Sequence, residues 1–326
     1  TGLPPVILNQ RLRQFVPVST TLTFSDTLAP LVLAAGGRST PVVPQHVATA
    51  TLRIEHPAGQ SLPVTVHWQA RRWMSEPLVI ALKLLDKDFN VAGQRLATVG
   101  DRYPNLLWVP TEVVEEEYIV SLLPETPAGL YRLEMSLIRQ DRTLTQGYEN
   151  LPVVDNGLEV GHNLYPVVVR LLDPVHGSEP RQSFSAQLGE SILLTGYSLA
   201  DEQGRILPDN NLAASTFNLV LYWQSTSSIP GDYTVFTQLV APNGEVWAQW
   251  DNPPQAGRYP TSAWLENDSV IDRYSLSLRD GAPAGDYQLL VGMYNPTTGE
   301  RLPVVIAGQT RADRAVPLAT VTLTGN

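Results

Sequence analysis

Tyr259-Pro260-Thr261-Ser262-Ala263-Trp264, followed by Pro283-Ala284-Gly285-Asp286-Tyr287, is a stretch that the chain writes twice. The earlier version is Tyr103-Pro104-Asn105-Leu106-Leu107-Trp108, followed by Pro127-Ala128-Gly129-Leu130-Tyr131. Tyr103, Trp108, Tyr118 and Tyr131 each stand 156 positions before Tyr259, Trp264, Tyr274 and Tyr287 (259 against 103, and so on). Upstream, Trp68-Gln69 answers to Trp223-Gln224 at an offset of 155, so the second copy gains one residue between the two blocks. A constant offset over so long a stretch means two copies of one module.

Each copy reads as β structure. Leu62, Val64, Val66 and Trp68 alternate with polar or small residues, and so do Phe217, Leu219, Leu221 and Trp223. Period-two alternation with one apolar face marks a half-buried strand. Further strands are expected at 78–85 and 233–240, 117–122 and 273–278, 131–138 and 287–294, and in the β-branched runs at 167–169 and 316–323. Asn243-Gly244 predicts a tight hairpin turn with positive φ angles. Phe24 to Leu28 parallels Leu188 to Ile192 at an offset of 164, and the nine-residue difference is assigned to the loop from Asp201 to Asn211 of the second copy. No amphipathic helical pattern stands out. The fold expected is all-β: two tandem immunoglobulin-like β-sandwich modules related by an internal repeat. An arm at 1–20, modules at 21–173 and 182–326 and a linker at 174–181 complete the plan. In immunoglobulin-like sandwiches a Tyr opening strand F bonds back to the corner before it. Tyr131 and Tyr287, after Pro-Ala-Gly, stand where that corner would lie.

Composition narrows the function. With 43% hydrophobic and 17% charged residues, the 326-residue chain is ordinary for a folded protein and long enough for two domains. A formal net charge of −10 speaks against a nucleic-acid partner, which needs a basic stripe, and equally against attraction to an anionic membrane surface. Cys is absent, so disulfides, thiolate nucleophiles and Cys-ligated zinc drop out. No apolar run approaches the ~18 residues of a membrane span. The chain starts at Thr1 without a signal-peptide pattern, which fits either a trimmed cytosolic protein or a soluble region of a larger precursor.

No catalytic signature is present: no phosphate loop, no Gly-x-Ser-x-Gly elbow, no metal spacing among His46, His56, His67, His162 and His176. Asp251, Asp268 and Asp272 are the carboxylates from which an acid/base pair would come, but nothing in the sequence sets two of them across a cleft. Asp209-Asn210-Asn211 and Asn267-Asp268 offer oxygen ligands for calcium, with Asx turns the commoner reason for such runs. Glu115-Glu116-Glu117 reads as a solvated strand edge. No cofactor and no metal is implied, and the chain reads as a non-enzyme.

The aromatics say more. Trp68, Trp108, Tyr118 and Tyr131 recur as Trp223, Trp264, Tyr274 and Tyr287, and residues needed by both copies are expected in the core. Trp247, Trp250 and Asp251 answer instead to Ala92, Arg95 and Leu96. A Trp247 facing solvent beside Gln249, Trp250 and Asp251 would make a sugar-binding surface. The alternative is that its ring is covered by the neighbouring module or the long loop.

Gly196-Tyr197-Ser198-Leu199, Leu221-Tyr222-Trp223-Gln224, Asp232 to Phe236 and Arg258 to Trp264 together resemble a known context. They look like the soluble C-terminal region of bacterial multi-pass membrane glycosyltransferases related to the protein-mannosyltransferases, a module similar to one in uncharacterised envelope proteins. The first copy is diverged, with Leu96 in place of Asp251 and Asn105 in place of Thr261. The resemblance implies an extracytoplasmic, non-catalytic sandwich in the cell envelope. Its partners would be a glycan or an envelope protein, and the membrane would be reached through an upstream segment. A structural or adhesive tandem sandwich without a small ligand is the alternative; a carboxylate-dependent glycan-processing enzyme ranks below both.

Overall fold

Leu62, Val64, Val66, Trp68 and Ala70 are buried, and so are Phe217, Leu219, Leu221, Trp223 and Ser225. Alternation alone therefore lays a central strand, one face inward, in each half of the chain. The computed structural model describes residues 22–24, 28–35, 39–42, 51–140, 147–155, 158–174, 179–207, 210–212 and 216–324. The expected arm at 1–20 and residues 175–178 of the expected linker lie outside them. The chain divides into two units, Thr1–Pro174 and Val175–Asn326.

The first unit begins with β1 (Leu22–Phe24), β2 (Leu28–Ala35), β3 (Ser39–Val42) and β4 (Thr51–Pro57). Its middle is β5 (Leu62–Ala70), β6 (Leu78–Leu85), β7 (Val91–Thr98), β8 (Val113–Leu122) and β9 (Gly129–Gln140). Short β10 (Tyr148–Asn150), β11 (Val153–Asp155) and β12 (Leu158–Gly161) lead to β13 (Leu164–Leu172). The second unit runs β14 (Gln182–Leu188), β15 (Ile192–Ala200), β16 (Asn211–Leu212), β17 (Thr216–Ser225), β18 (Thr234–Val240) and β19 (Val246–Asn252). It continues with β20 (Ser269–Ser277), β21 (Gly285–Tyr294), β22 (Val304–Ile306), β23 (Gln309–Arg311) and β24 (Val316–Leu323).

The second unit is a sandwich of two sheets, ordered β20-β17-β15-β14-β22-β23 and β16-β24-β21-β18-β19. The first unit repeats that order strand for strand, as β8-β5-β2-β1-β11-β12 and β4-β13-β9-β6-β7, with β3 added beyond β4. Even the parallel pairs correspond, β4 on β13 and β16 on β24. The protein is thus all-β, two sandwiches of one topology.

Details of the corner repeat as well. Tyr131 Oη donates to the Pro127 carbonyl at 2.7 Å, and Tyr287 Oη to the Pro283 carbonyl at 2.6 Å. Gly129 and Gly285, two residues earlier, have φ of 151° and 145°, a region that L side chains rarely adopt. Between β7 and β8, and again between β19 and β20, the chain folds a 3-10 turn (Asn105–Leu107, Thr261–Ala263) that ends in a buried indole.

Two differences separate the copies. In the first unit β7 also pairs with β8, Gly93 with Leu122 and Gln94 with Ser121, which joins its sheets into one. Gly93 permits this, because a Cβ there would stand 2.9 Å from the Ser121 carbonyl oxygen. Ala248 holds the matching place in the second unit, and β19 stays an edge. The other difference corrects the sequence reading. The extra length between the first two large strands belongs to the first copy, in residues 36–61 with β3 and β4, and not to the 201–215 connection of the second. An offset that falls from 164 to 155 requires residues lost, not gained, in the second copy.

Truncating Trp223 or Trp264 to Ala is expected to cost the second unit ~3–5 kcal/mol, because the cavity is walled by strands that cannot collapse into it. Tyr287→Phe, which removes one hydrogen bond to a corner carbonyl, should cost ~1 kcal/mol. Chemical denaturation of the full chain measures both; a tryptophan variant within ~1 kcal/mol of the parent would contradict the burial.

Candidate functional site

The residues that distinguish the second copy lie on β19, the outer strand of a hairpin with β18. Its turn is a three-residue loop: Ala241 N–H bonds to the Glu245 carbonyl at 2.8 Å and Gly244 N–H to the Ala241 carbonyl at 2.8 Å. Gly244 alone of the expected pair has positive φ, 85°. Asn243 serves instead through its side chain, whose Oδ1 accepts the Glu245 N–H at 3.0 Å. The two-residue turn expected from Asn-Gly is therefore replaced by a looser one with a register shift after Leu239.

Register then decides where each β19 side chain goes. Ala248 pairs with buried Leu239 and Trp250 with buried Thr237, so these two share the inward side. Gln249 and Asp251, paired with Gln238 and Phe236, share the outer side. There Gln249 Nε2 donates to Asp251 Oδ1 at 3.1 Å, and both residues are exposed. The Tyr294 hydroxyl from β21 meets the Asp251 carboxylate, and partial burial together with that charge raises the Tyr294 pKa. Behind them the Phe236 ring lies over Gly292, where a Cβ would come within 2.4 Å of it, and the Arg301 guanidinium caps the ring at 4.1 Å.

The four sequence candidates are thus neighbours but not one platform. Trp250 is 49% exposed at the strand edge. Trp247 is half-buried, with the Arg279 guanidinium 5.7 Å from its ring and its carbonyl taken by the Arg279 N–H at 2.9 Å. Part of its cover comes from Arg279, in the segment after β20. Tyr294 and Arg301 were missed, because no spacing in the sequence links them to β19.

A second polar cluster lies inside each unit. Asp272 on β20 is 2% exposed and accepts Tyr274 Oη at 2.5 Å and the Gln255 N–H at 2.9 Å. Burial pushes its pKa up to about 6, against the lowering by these donors and by the Trp223 indole beside it. Tyr274 is raised well above its ordinary value by burial and then by the Asp272 charge. The first unit builds the same cluster from Glu116, which accepts Tyr118 Oη at 2.6 Å and the Gly100 N–H at 2.7 Å, while Trp68 Nε1 donates to Tyr118 Oη at 3.3 Å. So the middle member of the acidic run is a structural acceptor; the run itself pairs with β5, while β7 joins β8 only further along, at Ser121 and Leu122. The flanking Glu115 and Glu117 are exposed.

The remaining candidates resolve simply. Asp268 Oδ2 accepts the Leu265 N–H at 2.7 Å and the Tyr259 hydroxyl, so its carboxylate caps a turn. Asn210 and Asn267 take positive φ, 56° and 67°, as Asx residues in turns do, and Asp209 lies outside the described residues. His56 Nε2 lies 3.2 Å from the Gln60 carbonyl; His67 and His162 stand 3.5 Å from Glu115 and Glu159; His46 and His176 lie outside the described residues. Among the described residues no group of three or more acids or histidines is placed to hold a metal ion, and no helix is long and apolar enough to cross a membrane.

No protein-family model matches the chain, and no curated protein matches it either.

Asp272 gives a pH test. Its folded pKa lies above the unfolded value of 3.8, so the native state favours the protonated form. Stability from this group is full below about pH 4 and is lost as pH rises through about 6, on the order of 3 kcal/mol in all. Denaturation of the second unit at stepped pH should show this decline, and Asp272→Asn should flatten it. An unchanged slope in the variant would remove Asp272 as the cause.

Proposed function

We propose that the chain is a non-catalytic binding region that works outside the cytoplasm and presents the β19 edge of its second unit to a glycan. In this reading it holds a membrane glycosyltransferase of the protein-mannosyltransferase kind near its sugar-bearing partner. The observation that carries the reading is one exposed indole, Trp250, at an edge strand whose outer side carries the hydrogen-bonded Gln249–Asp251 pair. A pyranose stacks its apolar face on an indole and gives its hydroxyls to directional polar groups. A ligand lying along the edge of β19 meets both: the ring on one side, the amide and carboxylate on the other. The first copy has Arg95 and Leu96 at the positions of Trp250 and Asp251, and its β7 pairs with β8 at Gly93 and Gln94, so the indole and carboxylate are found on the second copy alone.

A purely structural tandem sandwich is the second reading. It is favoured by the fact that Trp68, Trp108, Tyr118 and Tyr131 and their counterparts Trp223, Trp264, Tyr274 and Tyr287 are all buried in the core or the corner.

The test is titration of the full chain with a glycan panel, followed by tryptophan fluorescence and amide shifts. One ring and two side chains support affinities on the order of 1 mM. Trp250→Ala should abolish the response, Asp251→Asn should weaken it, and Trp247→Ala should leave most of it. Flat titrations across the panel would leave the structural reading; a response untouched by Trp250→Ala would move the site elsewhere.

A further inference from the structure

Large exposed apolar side chains are unevenly shared. Among the described residues the second unit exposes Ile206 and Trp250, whereas the first exposes many, and several of these meet at one end of its sandwich. Two connections form that end: 71–77, between β5 and β6, and 99–112, between β7 and β8. They are stitched together. Asn105 Nδ2 donates to the Glu76 carbonyl at 2.9 Å, Asn105 Oδ1 accepts the Leu78 N–H at 3.3 Å, and the Thr111 N–H bonds to the Ala70 carbonyl at 2.8 Å. On this base stand Trp73 at 63% exposure, Leu107 at 59% and Val109 at 44%, with Leu106 and Tyr103 beside them. Tyr103 Oη donates to the Leu107 carbonyl at 3.2 Å, which keeps the ring against the aliphatic group.

The second copy supplies a control. Its matching connections read Thr226-Ser227-Ser228-Ile229-Pro230-Gly231-Asp232 and, after Tyr259, Pro260-Thr261-Ser262-Ala263-Trp264-Leu265-Glu266. There Ile229 is buried, Ser228, Ser262 and Ala263 stand in the places of Trp73, Leu106 and Leu107, and half-buried Leu265 stands in that of Val109. The same plug folds without the exposed indole and leucines, so these are not a requirement of the fold.

We propose that this tip seats the first unit on a phospholipid bilayer, with Trp73, Leu106, Leu107 and Val109 entering the acyl boundary. The chemistry favours lipid over a protein partner. Trp and Tyr with polar handles, aliphatic groups at the apex and arginines around them match a bilayer interface. Protein hot spots, by contrast, under-use Leu and Val. Arg71 and Arg102 are exposed at the rim and suit lipid phosphates. Of the nearby acids, Glu112 is engaged by the Val109 N–H at 2.8 Å and Tyr103 Oη at 3.3 Å, Glu76 lies 4.0 Å from Arg139, and Asp101 adjoins Arg102. The rim is therefore near neutral and the whole chain carries −10, so apolar insertion leads and charge only assists.

The experiment is co-sedimentation of the full chain with vesicles of phosphatidylcholine, alone and mixed with phosphatidylglycerol. A Trp250→Phe background leaves Trp73 as the one strongly exposed indole among the described residues, so its fluorescence reports insertion. Binding to both vesicle types with a blue shift is expected. Leu107→Ser/Val109→Ser should weaken partition by about tenfold or more, with far-ultraviolet dichroism unchanged. Arg71→Gln/Arg102→Gln should weaken it by less. Absence of binding to either vesicle overturns the proposal, as does binding that the Leu107/Val109 variant leaves intact. Self-association abolished by that variant, without vesicle binding, would assign the tip to a second copy of the chain instead.

Discussion

Closing one end of each sandwich with an indole ring sets the path of much of the chain around it. A buried tryptophan brings an N–H that costs ~1–3 kcal/mol if left unpaired. Trp108 Nε1 gives its hydrogen to the Tyr103 carbonyl at 2.7 Å, and Trp264 Nε1 to the Tyr259 carbonyl at 3.1 Å. Reaching back five residues forces the intervening segment into a 3-10 turn and lays the tyrosine ring against the indole, 6.4 Å and 6.1 Å between centroids. The first residue of the turn then points at the neighbouring connection. Thr261 Oγ1 donates to the Gly231 carbonyl at 2.8 Å and accepts the Tyr233 N–H at 2.9 Å. Asn105 does the same work with one amide, so the apparent divergence of the first copy at this position is a chemical equivalence.

The buried carboxylate is the other shared device, and the two copies tune it differently. Glu116 has one more methylene than Asp272, and its residue stays half-buried while Asp272 is enclosed. Both accept a tyrosine hydroxyl two residues along the strand and a backbone N–H of the loop that follows β7 or β19. In the second unit that loop carries Gln255 and Ala256 at φ of 50° and 55°, a left-handed pair of non-glycine residues. Strain of this kind, of order 1–3 kcal/mol per residue, persists only where other contacts over-determine the backbone. The Gln255 N–H to Asp272, and Gln255 Nε2 to the Ile271 carbonyl at 3.1 Å, are such contacts.

The fold was largely legible because its signals are local or repeated. Period two along Leu62 to Trp68 and Phe217 to Trp223 placed the central strands, and the doubled Tyr-Pro…Trp and Pro-Ala-Gly-x-Tyr runs placed the end plug and the corner. What stayed hidden depends on pairing. Trp250 and Asp251, as neighbours in a strand, face opposite sides, but which of them takes the inward side is settled by their pairing with Thr237 and Phe236 across a register shift that no pattern in β19 announces. Arg279 over Trp247, and Tyr294 against Asp251, join residues far apart in sequence through sheet geometry. The role of Glu116 as an acceptor for Tyr118 and the Gly100 N–H was hidden inside an acidic run whose flanking members are exposed, and the junction of β7 with β8 at Ser121 and Leu122 depends on Gly93, a residue with no side chain to notice. Trp73 drew no attention for a related reason: the repeat singles out aromatics that match, and Trp73 answers to Ser228.

Duplication separates what the fold needs from what it merely carries. Residues held in both copies, the four tryptophans, the corner tyrosines and the acid–tyrosine pairs, are spent on burial, corners and caps. Residues held in one copy escape that demand. Pairing of β7 with β8 at Gly93 and Gln94 joins the first unit's sheets, and several of its unmatched apolar groups sit at the loop end. Leaving β19 unpaired on its outer edge keeps that edge in the second unit, and there the unmatched Trp250 and Asp251 are found. One small residue, glycine at 93 against alanine at 248, thus goes with the difference between a strand that joins its neighbour sheet and one that stays an edge.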